Sequence, residues 1–118
     1  MKIIKRSKIE IEKRPFGRTV QKLLSHKFIQ PRDSIAMFLG FAPKGQLDFH
    51  YHEKTEEIII FPEGGKIEVN GKLYDMEPWD MVLLEPGEIH GFDGEYKDVL
   101  HLALRFPDNE DKISVEKK

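Results

Sequence analysis

The sequence predicts an all-β chain of the sandwich or jelly-roll class, and three observations carry that reading. Gly and Pro punctuate the chain at roughly 8–12-residue intervals, from Pro15–Gly17 through Pro43–Gly45, Pro62–Gly65 and Pro86–Gly87 to Gly91–Gly94. The segments between these breaks are short and rich in β-branched and aromatic residues. Asn70-Gly71 separates two alternating runs, the signature of a two-residue type I′ hairpin.

The elements follow in chain order. Lys8 to Lys13 alternates, with Ile9 and Ile11 on one face, and reads as a strand. Thr19 to Ser25 fits a strand or a helical face formed by Val20, Leu23 and Leu24; its β surroundings favour a strand. Ser34 to Ala42 is a strand with two apolar faces. Met37, Leu39 and Phe41 form one, Ala36, Phe38 and Gly40 the other, and either can face inward. Ile58 to Phe61 is a continuous apolar run. Lys66 to Val69 and Lys72 to Met76 are the hairpin arms, and Met81 to Leu84 is a further strand. In Val99 to Phe106 the apolar set is Leu100, Leu102, Leu104 and Phe106, expected inside. That phase turns His101, Ala103 and Arg105 outward and makes His101 a surface or interface residue rather than a ligand. The polar tail, Asp108 to Lys118, is expected to fray.

A chain of 118 residues and 13.8 kDa is one domain, residues 1–118, with its barrel over about 34–106 and the tail over about 108–118. Nineteen basic against 21 acidic side chains leave a net charge of −2. This balance argues against nucleic-acid binding through phosphates and against a polybasic membrane surface. Charged residues reach 34%, above the usual share of about a quarter, which tilts toward a thermophilic source. With no Cys, disulfides, thiolate zinc sites, iron–sulfur clusters and cysteine nucleophiles are excluded. No apolar run approaches the ~18 residues of a membrane span, and Met1 to Arg14 lacks an apolar signal core. A cytoplasmic location is expected.

Three places carry chemistry: His50-Tyr51-His52, the pair Glu56-Glu57, and His90. On a strand, residues i and i+2 share a face roughly 6.5–7 Å apart, so His50 and His52 can converge on one ion. A carboxylate at the start of the next strand, Glu57 or Glu56, can complete a third corner. His90 follows the Pro86-Gly87 turn at the end of an apolar strand.

In order and spacing these residues resemble the cupin family. His50-x-His52-x4-Glu57-x6-Gly64 resembles the first cupin motif, and Asp80-x5-Pro86-Gly87-x2-His90 the second, with a hairpin between them. The resemblance covers about residues 37–106 and implies a double-stranded β-helix, the jelly-roll β-barrel. It implies His50, His52, Glu57 and His90 as metal ligands, the spacing to Gly64 selecting Glu57 over Glu56. Departures fall at Lys44, Trp79, Glu85 and Gly94, none a ligand position. Three imidazoles and a carboxylate without sulfur suit one divalent transition metal, iron or manganese first, with nickel, cobalt or zinc able to substitute.

With Glu57 inward, Ile59 and Phe61 point inward too. Ile58 and Ile60 then join Phe49 and Tyr51 in an outward apolar patch. Either the N-terminal segment covers that patch or, the favoured reading, a second copy does, making a homodimer. The barrel is expected to be apolar around the metal, with no evident Arg or Lys to hold an anion, though His26 and Arg18 could reach in. The expected function is a metal-dependent enzyme acting on a small molecule, by dioxygenase or decarboxylase chemistry. Isomerases and lyases of the same family are also allowed. The alternative is a non-catalytic, metal-containing small-molecule binder or sensor.

Overall fold

The structure is a computed structural model and describes residues 1–28, 33–42, 49–92, 98–109 and 111–115. Its strands are β1 (Lys2–Ile4), β2 (Glu12–Lys13), β3 (Thr19–Val20), β4 (Ala36–Ala42), β5 (His50–His52) and β6 (Glu56–Phe61). They continue as β7 (Gly65–Val69), β8 (Lys72–Met76), β9 (Asp80–Leu84), β10 (His90–Phe92), β11 (Val99–Phe106) and β12 (Lys112–Ser114). Two five-stranded antiparallel sheets, ordered β1-β9-β6-β11-β4 and β12-β5-β10-β7-β8, face each other, and β2-β3 forms a small ribbon. Lys44, Gly45 and Gly94 lie outside the described residues.

The inner faces of the two sheets bury one core, which includes Ile59, Phe61, Ile67, Val82, Leu84 and Val99. The first sheet is also covered on its outer face. Ile4, Ile58, Met81 and Leu83 pack there, with Ile9, Leu23 and Leu24 of the N-terminal segment laid over them. A sheet buried on both faces explains why Ile58–Phe61 and Met81–Leu84 are unbroken apolar runs rather than alternating ones. The patch assigned above to a homodimer is therefore covered, at Ile58 and Ile60, by the chain's own N-terminal segment. Phe49 is buried as well, against Gly91.

That cover also sets the phase of β11, which is opposite to the expected one. Leu104 and Phe106 pack into the outer cluster, while Ala103 joins the inner core and His101 and Arg105 turn into the barrel. At these positions the inner side holds the polar His/Glu cluster and the outer side the apolar cover, so the apolar set turns outward. On β4 the inward set is Phe38 and Gly40, and Met37, Leu39 and Phe41 are exposed.

Local turns obey the sequence where their chemistry is specific. Asn70 and Gly71 both have positive φ, as a type I′ turn requires, and Val69 pairs with Lys72. Gly64, the last residue of the first motif, has φ +74, and a Cβ there would lie 2.6 Å from the Met76 carbonyl oxygen. Lys8–Lys13 is not one strand: a 3-10 turn occupies Arg6–Lys8 and only Glu12–Lys13 is extended and paired. Of Thr19–Ser25, only Thr19–Val20 is strand. The tail is tied down rather than frayed where it is described, since β12 pairs with β5, Lys112 opposite His52 and Ser114 opposite His50. No helix among the described residues is long and apolar enough to cross a membrane.

Candidate metal centre

The two sheets bring the candidate ligands together from opposite sides. His50 and His52 project from β5, and His90, paired directly with His50, projects from neighbouring β10. Glu57 comes from β6 on the facing sheet. His50, His52, Glu57 and His90 each offer one ligand atom, and those atoms all lie within 4.8 Å of one another. Glu56, the competing carboxylate, points to the outer face, where its Oε2 meets His26 Nε2 at 2.7 Å. His26 thus reaches a carboxylate, but not the one in the barrel.

The hydrogen bonds around the histidines fix their orientation. His90 Nδ1–H donates to the Glu88 carbonyl oxygen (2.9 Å), and His52 Nδ1–H donates to Asp111 Oδ1 (3.2 Å). Each therefore presents Nε2 to the centre as an acceptor. Asp111 is itself held by Lys54 N–H, Thr55 N–H and the Thr55 hydroxyl. Partial burial opposes its charge, but these bonds and His52 outweigh it and hold the carboxyl below its usual range.

At the centre, electron-rich atoms face one another. His90 Nε2 lies 3.1 Å, and His52 Nε2 3.6 Å, from Glu57 Oε1. Among the described residues, His52 Nε2 is buried with no hydrogen-bond partner. Adjacent donors about 2.1 Å from one ion stand roughly 3 Å apart at right angles, so these separations suit a shared cation. The donor set fits a divalent transition metal and explains why a buried polar atom stands unpaired. Burial alone would raise the Glu57 pKa. The charged Arg105 guanidinium, donating to Oε2, works against that burial, and the carboxyl is held far below the usual range, so Glu57 is an anion ready to ligate.

The surroundings are less apolar than the sequence suggests. Arg105 Nε donates to Glu57 Oε2 at 2.7 Å, on the side away from His90, and the guanidinium lies over the Phe38 ring at 4.7 Å. His101, expected on the surface, stands in the barrel wall. Its ring lies 4.4 Å from that of Phe92, and its Nδ1–H donates to the Val99 carbonyl oxygen at 3.3 Å. Burial lowers its pKa, which keeps the imidazole neutral at pH 7. Gly40 makes room for it, since a Cβ there would collide with His101 Nε2. A cavity of about 160 Å³ adjoins the cluster, bounded by His50, Glu57, His90, Phe92, His101 and Arg105.

Sequence reasoning missed Asp111, Arg105 and His101. The last two were within reach. Outward Ile58 and Ile60 already demanded an apolar cover, which would also draw Leu104 and Phe106 outward and turn His101 and Arg105 in. Nothing in the polar tail marked Asp111.

No protein-family model matches the chain, and no curated protein does. Solved structures do. A Klebsiella pneumoniae protein with a double-stranded β-helix domain superposes with a TM-score of 0.62 at 17% identity, covering 75% of this chain and 81% of that one. The nucleoside dehydratase Pac13 of Streptomyces gives 0.63 at 11% identity over 96% and 89%. The DMSP lyase DddQ of Ruegeria pomeroyi gives 0.60 at 24% identity; the match covers 69% of this chain and only 43% of that protein. At these identities the likeness is one of fold.

Proposed function

We propose that this chain, which has the double-stranded β-helix fold of the cupins, is a metal-dependent enzyme acting on a small molecule. His50, His52, Glu57 and His90 would hold the ion. The observation that carries the reading is the convergence of four ligand atoms in the barrel, with buried His52 Nε2 otherwise unpartnered. Iron or manganese fits the nitrogen and oxygen donors best, with nickel, cobalt or zinc as substitutes. Bound with open positions, such an ion supplies Lewis-acid polarisation or oxygen activation, the chemistry of decarboxylases and dioxygenases.

The chain's own residues shape that chemistry. Asp111 and the Glu88 carbonyl aim two imidazoles. Arg105 holds the second oxygen of Glu57. His101, neutral and bonded through Nδ1–H, forms part of the cavity wall with Nε2 turned to Gly40. The apolar side chains around them exclude water and strengthen each polar contact. Two structures of the same fold are described as a DMSP lyase and a nucleoside dehydratase. That fold hosts unrelated reactions, so the assignment rests on the site. We also place a homodimer contact on the outer face of β4, where Met37, Leu39 and Phe41 are exposed. Sedimentation equilibrium of Leu39→Glu beside wild type tests it, the variant running as a monomer.

Metal analysis of the chain, purified without chelator or His tag, tests the centre. Near one transition-metal ion per chain, lost in the His50→Ala, His90→Ala double variant, is the expected result. Oxygen-uptake and carbon-dioxide-release assays on the loaded protein then separate the two reaction classes. A wild-type chain that neither carries metal nor takes it up overturns the reading.

A further inference from the structure

We propose that the cavity beside the metal centre takes a small organic carboxylate, gripped by the Nη groups of Arg105. This rests on the metal-centre reading and names its substrate class. Arg105 is pinned on one side only: Nε is committed to Glu57 Oε2, and the guanidinium plane lies over Phe38. Neither contact uses Nη1 or Nη2, and among the described residues those groups have no protein partner. An arginine whose orientation is fixed while its outer N–H groups stay unpaired is preorganised for a planar, bidentate anion.

The space around it agrees. Arg105 and Phe38 form the shared wall between the cavity of about 160 Å³ at the His/Glu cluster and a second of about 410 Å³ that reaches Asp108, Asn109 and Lys112. A ligand entering from the outer cavity passes the guanidinium before it meets the cluster. The inner cavity is smaller than the ~300–1,000 Å³ of ordinary small-molecule sites, which limits a ligand to about ten non-hydrogen atoms. Ile59, Ile67, Phe92 and Ala103 offer its body an apolar wall. A divalent ion and Arg105 together outweigh the single carboxylate of Glu57, so the loaded cavity is cationic and selects an anion.

Isothermal titration of the full chain with benzoate and with its neutral isostere benzamide tests this, on metal-loaded and metal-stripped protein. Benzoate should bind at least tenfold tighter than benzamide in both forms. Arg105→Gln should cut that preference at least fivefold, and Arg105→Lys, which keeps the charge and loses the fork, should fall between. Equal affinities in wild type, no benzoate binding, or a preference that Arg105→Gln leaves unchanged overturns the proposal. The stripped arm separates this outcome from the metal reading, because an Arg105-dependent preference there needs no ion. Circular dichroism checks each variant. If Arg105→Gln does not fold, the wild-type pair and Arg105→Lys decide.

Discussion

Glu56 and Glu57 are neighbours in sequence, of one chemical type, and both almost fully buried, yet they belong to different halves of the molecule. Strand alternation sends Glu57 into the barrel, against His52, His90 and Arg105, and Glu56 to the outer face, against His26. Around Glu57 the acceptors outnumber the hydrogen-bond donors that satisfy them, and His52 Nε2 is left over. Around Glu56 the carboxylate meets the His26 imidazole, which sits edge-on to Phe28, and Phe28 packs against Phe106. A buried carboxylate therefore says little by itself. What distinguishes a site from a structural tie is whether its surroundings are complete without a further ion.

Neutralising each carboxylate in turn should separate the two halves most strongly. Glu57→Gln should weaken metal binding by at least a hundredfold, measured by competition with a chromophoric chelator, since it removes the only anionic donor. Glu56→Gln should leave metal affinity within threefold. It should instead lower unfolding free energy by about 2 kcal/mol in urea titrations, the worth of a hydrogen bond to a charged group. Matching effects on metal affinity would erase the distinction.

Asp111 extends the inner half outward. It holds His52 by Nδ1, so Asp111→Asn should reduce metal affinity about 10–100-fold, the usual cost of losing a partner behind a ligand. The reduction should appear in the same chelator competition, with the strand content unchanged by circular dichroism.

Acid should separate the two halves further. In the metal-free chain the Glu57 pKa is depressed, since the Arg105 guanidinium beside it counters the burial that would raise it. Its contribution to stability is therefore complete above the unfolded value of about 4.3 and is lost as pH falls below it toward the folded value. Urea unfolding of the metal-free chain should show stability dropping below about pH 4.3, with a shallower drop in Glu57→Gln.

How far the sequence could be read follows the same division. The grouping of His50, His52, Glu57 and His90 was legible because they sit in fixed spacings on neighbouring and facing strands. The hairpin was legible because Asn-Gly dictates both its φ signs. The phase of β11 was not, because both of its faces meet apolar partners and a period of two does not say which face meets the polar cluster. Asp111 was not, because it acts across 59 residues of chain, through a contact that leaves no local pattern.

One departure from the motif lies outside the cluster. Trp79 precedes Asp80 where the second cupin motif usually has Gly, and it adopts φ +70, in the left-handed region that Gly favours. The turn keeps its shape regardless. Trp79 N–H donates to the Phe61 carbonyl oxygen at 2.7 Å, and buried Asp80 accepts from Arg6 N–H, Glu77 N–H and the Lys5 ammonium. A bulky residue there costs about 1–2 kcal/mol, and Gly in its place costs part of that back in chain entropy. The half-exposed indole buries little. Trp79→Gly should therefore stabilise the protein by about 0.5 kcal/mol in urea titrations and leave metal affinity unchanged. A change in metal affinity with no change in stability would place this turn in the inner half, with the ligands rather than with the scaffold.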